Sequence, residues 1–175
     1  TAEVGNTGTW VFTPPALAEG NNVLTIRETD PAGNESGLST GFTIVVDTVS
    51  TTPAITNVTD NVGNAATTIV SGDPTNDATP TLSGTAEANS VVKIFDGGTQ
   101  IAVVTADGTG AWTFTPDTAL GEGPHAFTVT ATDPQGNVSQ VSNGWNVVVD
   151  LTAPTVPTLD TVNDNAPGGV TGNLT

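Results

Sequence analysis

No cysteine occurs in the 175 residues, and a single histidine, His125, is present. Together these absences argue against a zinc centre, which is built from Cys and His ligands. One imidazole cannot serve several candidate serines as a catalytic base, and no Gly-x-Ser-x-Gly elbow occurs. Basic residues are nearly missing: Arg27 and Lys93 stand against 18 acidic residues, leaving a net charge of −16. A surface this acidic repels phosphate backbones, which argues against nucleic acid and anionic lipid as partners. Two cations are also too few to line a pocket for an anionic ligand. No long apolar span occurs, nor a charged segment followed by an apolar run, so no membrane insertion is expected of this stretch. Any export signal or anchor is expected outside it. The residues that favour long helices (Leu, Lys, Arg and Gln) are scarce as well.

What is present is Thr, Asn, Ser, Gly and Pro, with 20 Gly and 12 Pro among them. Thr with Val and Ile favours pleated, half-buried strands, while Gly, Pro and Asn punctuate turns. Hydrophobic residues make up 35% of the chain and charged residues only 11%, which separates it from a charge-rich disordered tail. The expected class is all-β.

Internal repetition then sets the organisation. The segment GTWVFTPPALAEGNNVLTIRETDPAGNESGLSTGFTIVVDT, from Gly8, recurs from Gly110 as GAWTFTPDTALGEGPHAFTVTATDPQGNVSQVSNGWNVVVDL. Trp10 matches Trp112, Phe12 matches Phe114, Asp30 matches Asp133, Asn34 matches Asn137 and Asp47 matches Asp150. A second echo pairs Asp60-Asn61 with Asp164-Asn165. The period is roughly 103 residues, the size of a whole domain. Residues 1–47 are read as the C-terminal half of module one, 48–150 as a complete module two, and 151–175 as the start of a third.

Seven strand-like runs fit module two. Strand A lies near Ala54–Thr59, B near Thr79–Gly84, C over Ser90–Phe95 and D over Gln100–Thr105. E covers Ala111–Thr115, F covers His125–Thr132 and G about Val138–Val149. Alternation puts Trp112 and Phe114 on one face of E. It likewise puts Phe127, Val129 and Ala131 on one face of F, with Thr128, Thr130 and Thr132 opposite. Trp10, Trp112, Trp145 and Phe42 fall on strands at repeat positions and read as core.

The motifs TNDATPTLSGTAEANSVVKIFDGG, TADGTGAWTFTP, TDPQGNVS and VVDLTAP resemble the bacterial Ig-like tandem repeats of biofilm-associated and giant secreted adhesins. The resemblance implies immunoglobulin-like Greek-key β-sandwiches in a long extracellular rod on a bacterial surface, often with calcium at module junctions. The lack of cysteine agrees, since eukaryotic extracellular sandwiches of this size often carry disulfides. One linker departs from the pattern: VVDTVSTTP holds two residues more before Pro53 than VVDLTAP does before Pro154.

An Ig-like topology also sorts the carboxylates by end. Asp47, Glu87, Asp107, Asp133 and Asn137 fall at the entry end of module two. Asp60, Asp73, Asp77, Asp96 and Asp150 fall at the exit end. Repulsion between such clusters would splay a rod unless a cation intervened, and Ca²⁺ takes six to eight oxygens of this kind. The candidate ligands are Asp47, Asp107, Asp133 and Asn137 at the entry, with Asp60, Asp77 and Asp150 at the exit. The plain alternative is that each Asp or Asn caps its own turn. No EF-hand loop and no GGxGxD run is present. The carboxylates sit on rim loops without an evident aromatic platform, unlike a glycosidase pair. Three roles remain open. One is a stalk whose partners are neighbouring modules of the same chain. Another is a module binding glycan, ice or a receptor, and the last a filament subunit exchanging strands with neighbouring copies.

Overall fold

The computed structural model describes residues 8–63 and 66–158. Module one contributes β1 (Gly20–Leu24) and β2 (Phe42–Val46). Module two contributes β3 (Ala54–Asp60), β4 (Thr67–Thr68), β5 (Pro74–Thr75), β6 (Thr81–Thr85) and β7 (Val91–Asp96). It continues with β8 (Thr99–Thr105), β9 (Ala111–Phe114), β10 (Gly123–Thr132) and β11 (Trp145–Val149). The echo at Asp164-Asn165 and most of the stretch 151–175, expected to begin a third module, lie outside the described residues.

Module two is a sandwich of two sheets, one ordered β4-β3-β6-β9 and the other β5-β11-β10-β7-β8. All pairings are antiparallel except β5 on β11, which ties the long loop after β3 to the last strand. This is the expected Ig-like arrangement, with strands A, B and E facing C, D, F and G. The inward residues follow the pleat. Val92 and Ile94 on β7, Phe127, Val129 and Ala131 on β10, and Val147 and Val149 on β11 are buried. Leu82 on β6 and Trp112 on β9 meet them from the other sheet. On β3, Ile55 and Val58 both point inward although they are three residues apart. A register shift between Ile55 and Asn57 moves the inward face by one position, as a β-bulge does. Phe127 is fully buried, and that burial stabilises by about 3 kcal/mol on the transfer scale.

Two sequence expectations are corrected. Strand G does not run unbroken from Val138; its regular part begins at Trp145. Ahead of it the chain shadows β10 through serine hydroxyls. Ser139 N donates to Ala131 O and Ala131 N donates to Ser139 Oγ, both at 2.9 Å. Ser142 makes the same pair with Val129, again at 2.9 Å. A side-chain oxygen thus accepts where a ladder carbonyl would, and the strand pairing is interrupted. Module one repeats the device through Ser36 with Glu28 and Ser39 with Ile26. The pairing Gly20↔Val46 to Leu24↔Phe42 likewise repeats as Gly123↔Val149 to Phe127↔Trp145.

The second correction concerns Trp10 and Phe42, read as core. Trp10 is 45% and Phe42 69% exposed, whereas Trp112 is buried at 4%. In module one the described residues form only the pair β1–β2, equivalent to β10–β11. No opposing sheet covers its apolar face among them.

Candidate metal centre at the module junction

Three acidic side chains from three separate segments meet at the entry end of module two. Asp47 follows β2 of module one, Glu87 sits in the loop from β6 to β7, and Asp133 opens the turn after β10. Each brings a carboxylate oxygen within 4.8 Å of the other two. Asp133 is buried, while Asp47 and Glu87 are half-buried. The ion pairs among the described residues are Arg27–Glu35 and His125–Asp96, so no base neutralises this cluster.

The turn that carries Asp133 explains its position. Asp133 Oδ1 accepts from Gln135 N at 3.0 Å and Asn137 N at 2.8 Å, while Oδ2 accepts from Asn137 Nδ2 at 2.8 Å. Gly136 supplies the positive φ, 96°, that closes the turn. Burial pushes the Asp133 carboxyl up, but the Asn137 side chain and the surrounding backbone N–H groups outweigh it and hold the group below its ordinary value. Asp133 is therefore a turn cap and an ionised member of the cluster at once. Module one builds the same turn: Asp30 Oδ1 accepts from Ala32 N and Asn34 N, and Oδ2 from Asn34 Nδ2. The Asn34 side chain first, then these N–H groups, keep Asp30 below the ordinary carboxylate value.

The amide nitrogen of Asn137, a candidate ligand, donates to Asp133 Oδ2 and, at 3.1 Å, to Asp47 O. It pins the end of module one to the turn. Glu87 Oε2 accepts from Thr51 N at 3.3 Å, a second tie to the linker. Asp107 lies at the same end but stays out of the three-acid group. Its Oδ1 accepts from Thr109 Oγ1, Thr109 N and Ala111 N. The Thr109 hydroxyl is the first cause of its lowered pKa.

The exit end assembles no comparable group of three among the described residues. Asp60 accepts from Val62 N and Thr75 Oγ1. Asp77 is buried and accepts from Asn61 N, Thr79 N and Thr79 Oγ1. Asp150 accepts from Thr152 N. Two acids with linker contacts are absent from the sequence candidates. Glu87, at the entry end, lies on a loop that faces the linker. Glu122 grips the exit linker through Leu151 N at 2.9 Å and Thr152 Oγ1 at 2.7 Å. Glu19 does the same to Thr48 in module one, at 3.0 Å and 2.6 Å. Their common spacing ahead of Gly20 and Gly123 was the available signal.

A sandwich whose acids cap turns and tie linkers, with the same devices in both modules, is the build of a structural module. The chain belongs to the bacterial Ig-like domain family, whose model matches residues 1–48 and 52–151. Among solved structures it is similar to a biofilm associated protein, BSP domain, at 25% identity and a TM-score of 0.40. That match covers 86% of this chain and 22% of the other, so the chain spans under a quarter of that structure's length. It is also similar to CopC from Methylosinus trichosporium OB3b, at 17% identity and a TM-score of 0.32, covering 46% of this chain and 84% of that one. No curated protein matches it.

Proposed function

We propose that this chain is a stalk segment of an adhesin on the bacterial cell surface, serving adhesion and biofilm formation, and that Ca²⁺ stiffens its module junctions. The observation that carries this reading is the convergence of Asp47 from one module with Glu87 and Asp133 from the next, without a neutralising base. Three carboxylates are a donor set suited to a hard cation. When bound, the cation would supply positive charge that relieves their repulsion and joins the two modules. The chain's own residues prepare the site: the turn around Asp133 keeps that carboxylate ionised, and Asn137 and Glu87 hold the linker against module two. The partners of module two are its neighbours along the chain. A ligand-binding role for module two has less support, because the exposed large aromatics among the described residues are Trp10, Phe12 and Phe42, all in module one.

Two measurements test this. Ca²⁺ at about one hundred times its dissociation constant should stabilise by about 2.7 kcal/mol, seen as a higher melting temperature of module two. Small-angle scattering should show a longer, narrower particle with Ca²⁺ than with chelator. Both responses should vanish in the variant carrying Asp47→Asn and Glu87→Gln. An unchanged melting temperature and unchanged scattering in the wild type would remove calcium from the account and leave the sandwich standing.

A further inference from the structure

At the opposite end of module two, His125 lies between two acceptors. Its Nδ1 is 2.6 Å from Asp96 Oδ2, and its Nε2 is 2.9 Å from the Gly121 carbonyl oxygen. A carbonyl can only accept, and so can an ionised carboxylate. A neutral imidazole has one N–H and satisfies one of them, leaving a lone pair aimed at the other oxygen. The imidazolium satisfies both. The ring is held in place: its side chain is 13% exposed, and it stacks on Phe127 with centroids 6.1 Å apart and planes 11° apart. Burial opposes the charge, yet the Asp96 carboxylate and the Gly121 carbonyl outweigh it and raise the pKa above the ordinary histidine value.

The loop that His125 holds also holds the exit linker. Gly121 precedes Glu122, whose carboxylate accepts from Leu151 N and Thr152 Oγ1. Module one has the same Glu19 grip on Thr48, but Asn22 stands where module two has His125. Asn22 Nδ2 donates to Ala18 O at 2.7 Å, so the equivalent loop carbonyl is held by a group that does not titrate.

We propose that His125 is a protonation-dependent clamp on the exit junction of module two. As imidazolium it fixes the Gly121–Glu122 loop that grips residues 151 and 152. On losing its proton it frees that loop and slackens the junction, a control the Asn22 junction lacks. The charged group in contact with it is Asp96 at the end of β7, and the loop ahead of β10 carries Asp117 and Glu122. On β11 its pairing partner is the uncharged Val147, with Asp150 beyond the strand end. Because the folded pKa is raised, the clamp's stabilisation is complete below about pH 6.5 and is lost as pH rises through the folded value. The clamp sits apart from the entry-end cluster and needs no cation.

His125 is the single histidine, so its ring signals in an NMR titration of the whole chain are unambiguous. With chelator present, its midpoint should lie above about 6.5. The Leu151 and Thr152 amide signals should shift with that same midpoint, well away from carboxylate titration near about pH 4. His125→Asn restores the residue module one uses, and it should abolish those amide shifts between about pH 6 and pH 9. Asp96→Asn should lower the midpoint. A wild-type midpoint at or below the ordinary value would overturn the clamp. So would linker amides that ignore the histidine midpoint.

Discussion

Gly84→Ala should destabilise module two by about 3 kcal/mol or more, the upper range for overpacking a core. Gly84 lies inside β6, paired with Ile55 on β3 and Trp112 on β9. A methyl group there would stand 2.0 Å from Ala54 O and 2.4 Å from an indole carbon of Trp112. The indole could swing away only by leaving the core, and the Ala54 carbonyl belongs to the neighbouring strand. Relief therefore requires β3 and β9 to move apart. For a module of this size the loss corresponds to a melting temperature roughly 12 °C lower or more. Gly108→Ala is the control, since nothing lies within 4 Å of a methyl group there, and it should melt within about 0.5 kcal/mol of wild type. A Gly84→Ala protein as stable as that control would mean that Trp112 does not cover the Gly84 backbone.

Asp77→Ala should cost about 3 kcal/mol while leaving any calcium response intact. Asp77 is 1% exposed and accepts from Asn61 N at 2.7 Å, Thr79 N at 2.8 Å and Thr79 Oγ1 at 3.2 Å. Its own N–H donates to Thr75 Oγ1, which in turn donates to Asp60 Oδ2. The network ties the end of β3, the strand β5 and the entry to β6 into one corner. Alanine strands two main-chain N–H groups, each worth roughly 1–3 kcal/mol when left without an acceptor. Asp77→Asn keeps one oxygen for Thr79 but aims an amide N–H₂ at Asn61 N, so it should recover about half the loss. Chemical denaturation measures the cost, and a calcium titration of the same variants measures the response. A stable Asp77→Ala protein that no longer responds to calcium would mean that Asp77 ligates the ion rather than bracing the corner.

The two variants mark where the sequence was legible. The alternation on β10 and the repeat spacing are written in the sequence itself, and they place Phe127, Val129, Trp112 and the turn at Asp133. Gly84 carried no such signal, because its role depends on an indole delivered by β9. The break in strand G was hidden because Ser139 and Ser142 fit an alternating strand as readily as they mimic its carbonyls. The acids were harder still. Asp107 and Asp133 both open turns with a positive-φ glycine three residues on, Gly110 and Gly136. They share the Asp and the Gly, but Asp133 faces Asp47 and Glu87 across the junction while Asp107 spends its oxygen on Thr109 and Ala111. Which carboxylate caps a turn alone and which also joins a cluster is decided by the segment folded against it. Sorting by end placed Asp47 and Asp133 on one rim of the sandwich, where they meet, but could not tell them from Asp107, which does not join the group.

Calorimetric titration of Ca²⁺ into the chain bears most directly on the junction. The account predicts saturable binding in the range of about 10⁻⁴–10⁻³ M typical of extracellular modules. It also predicts that the site is lost when Asp47→Asn and Glu87→Gln are combined. Binding that survives undiminished in the double variant, or no binding by the wild type at millimolar calcium, would contradict it.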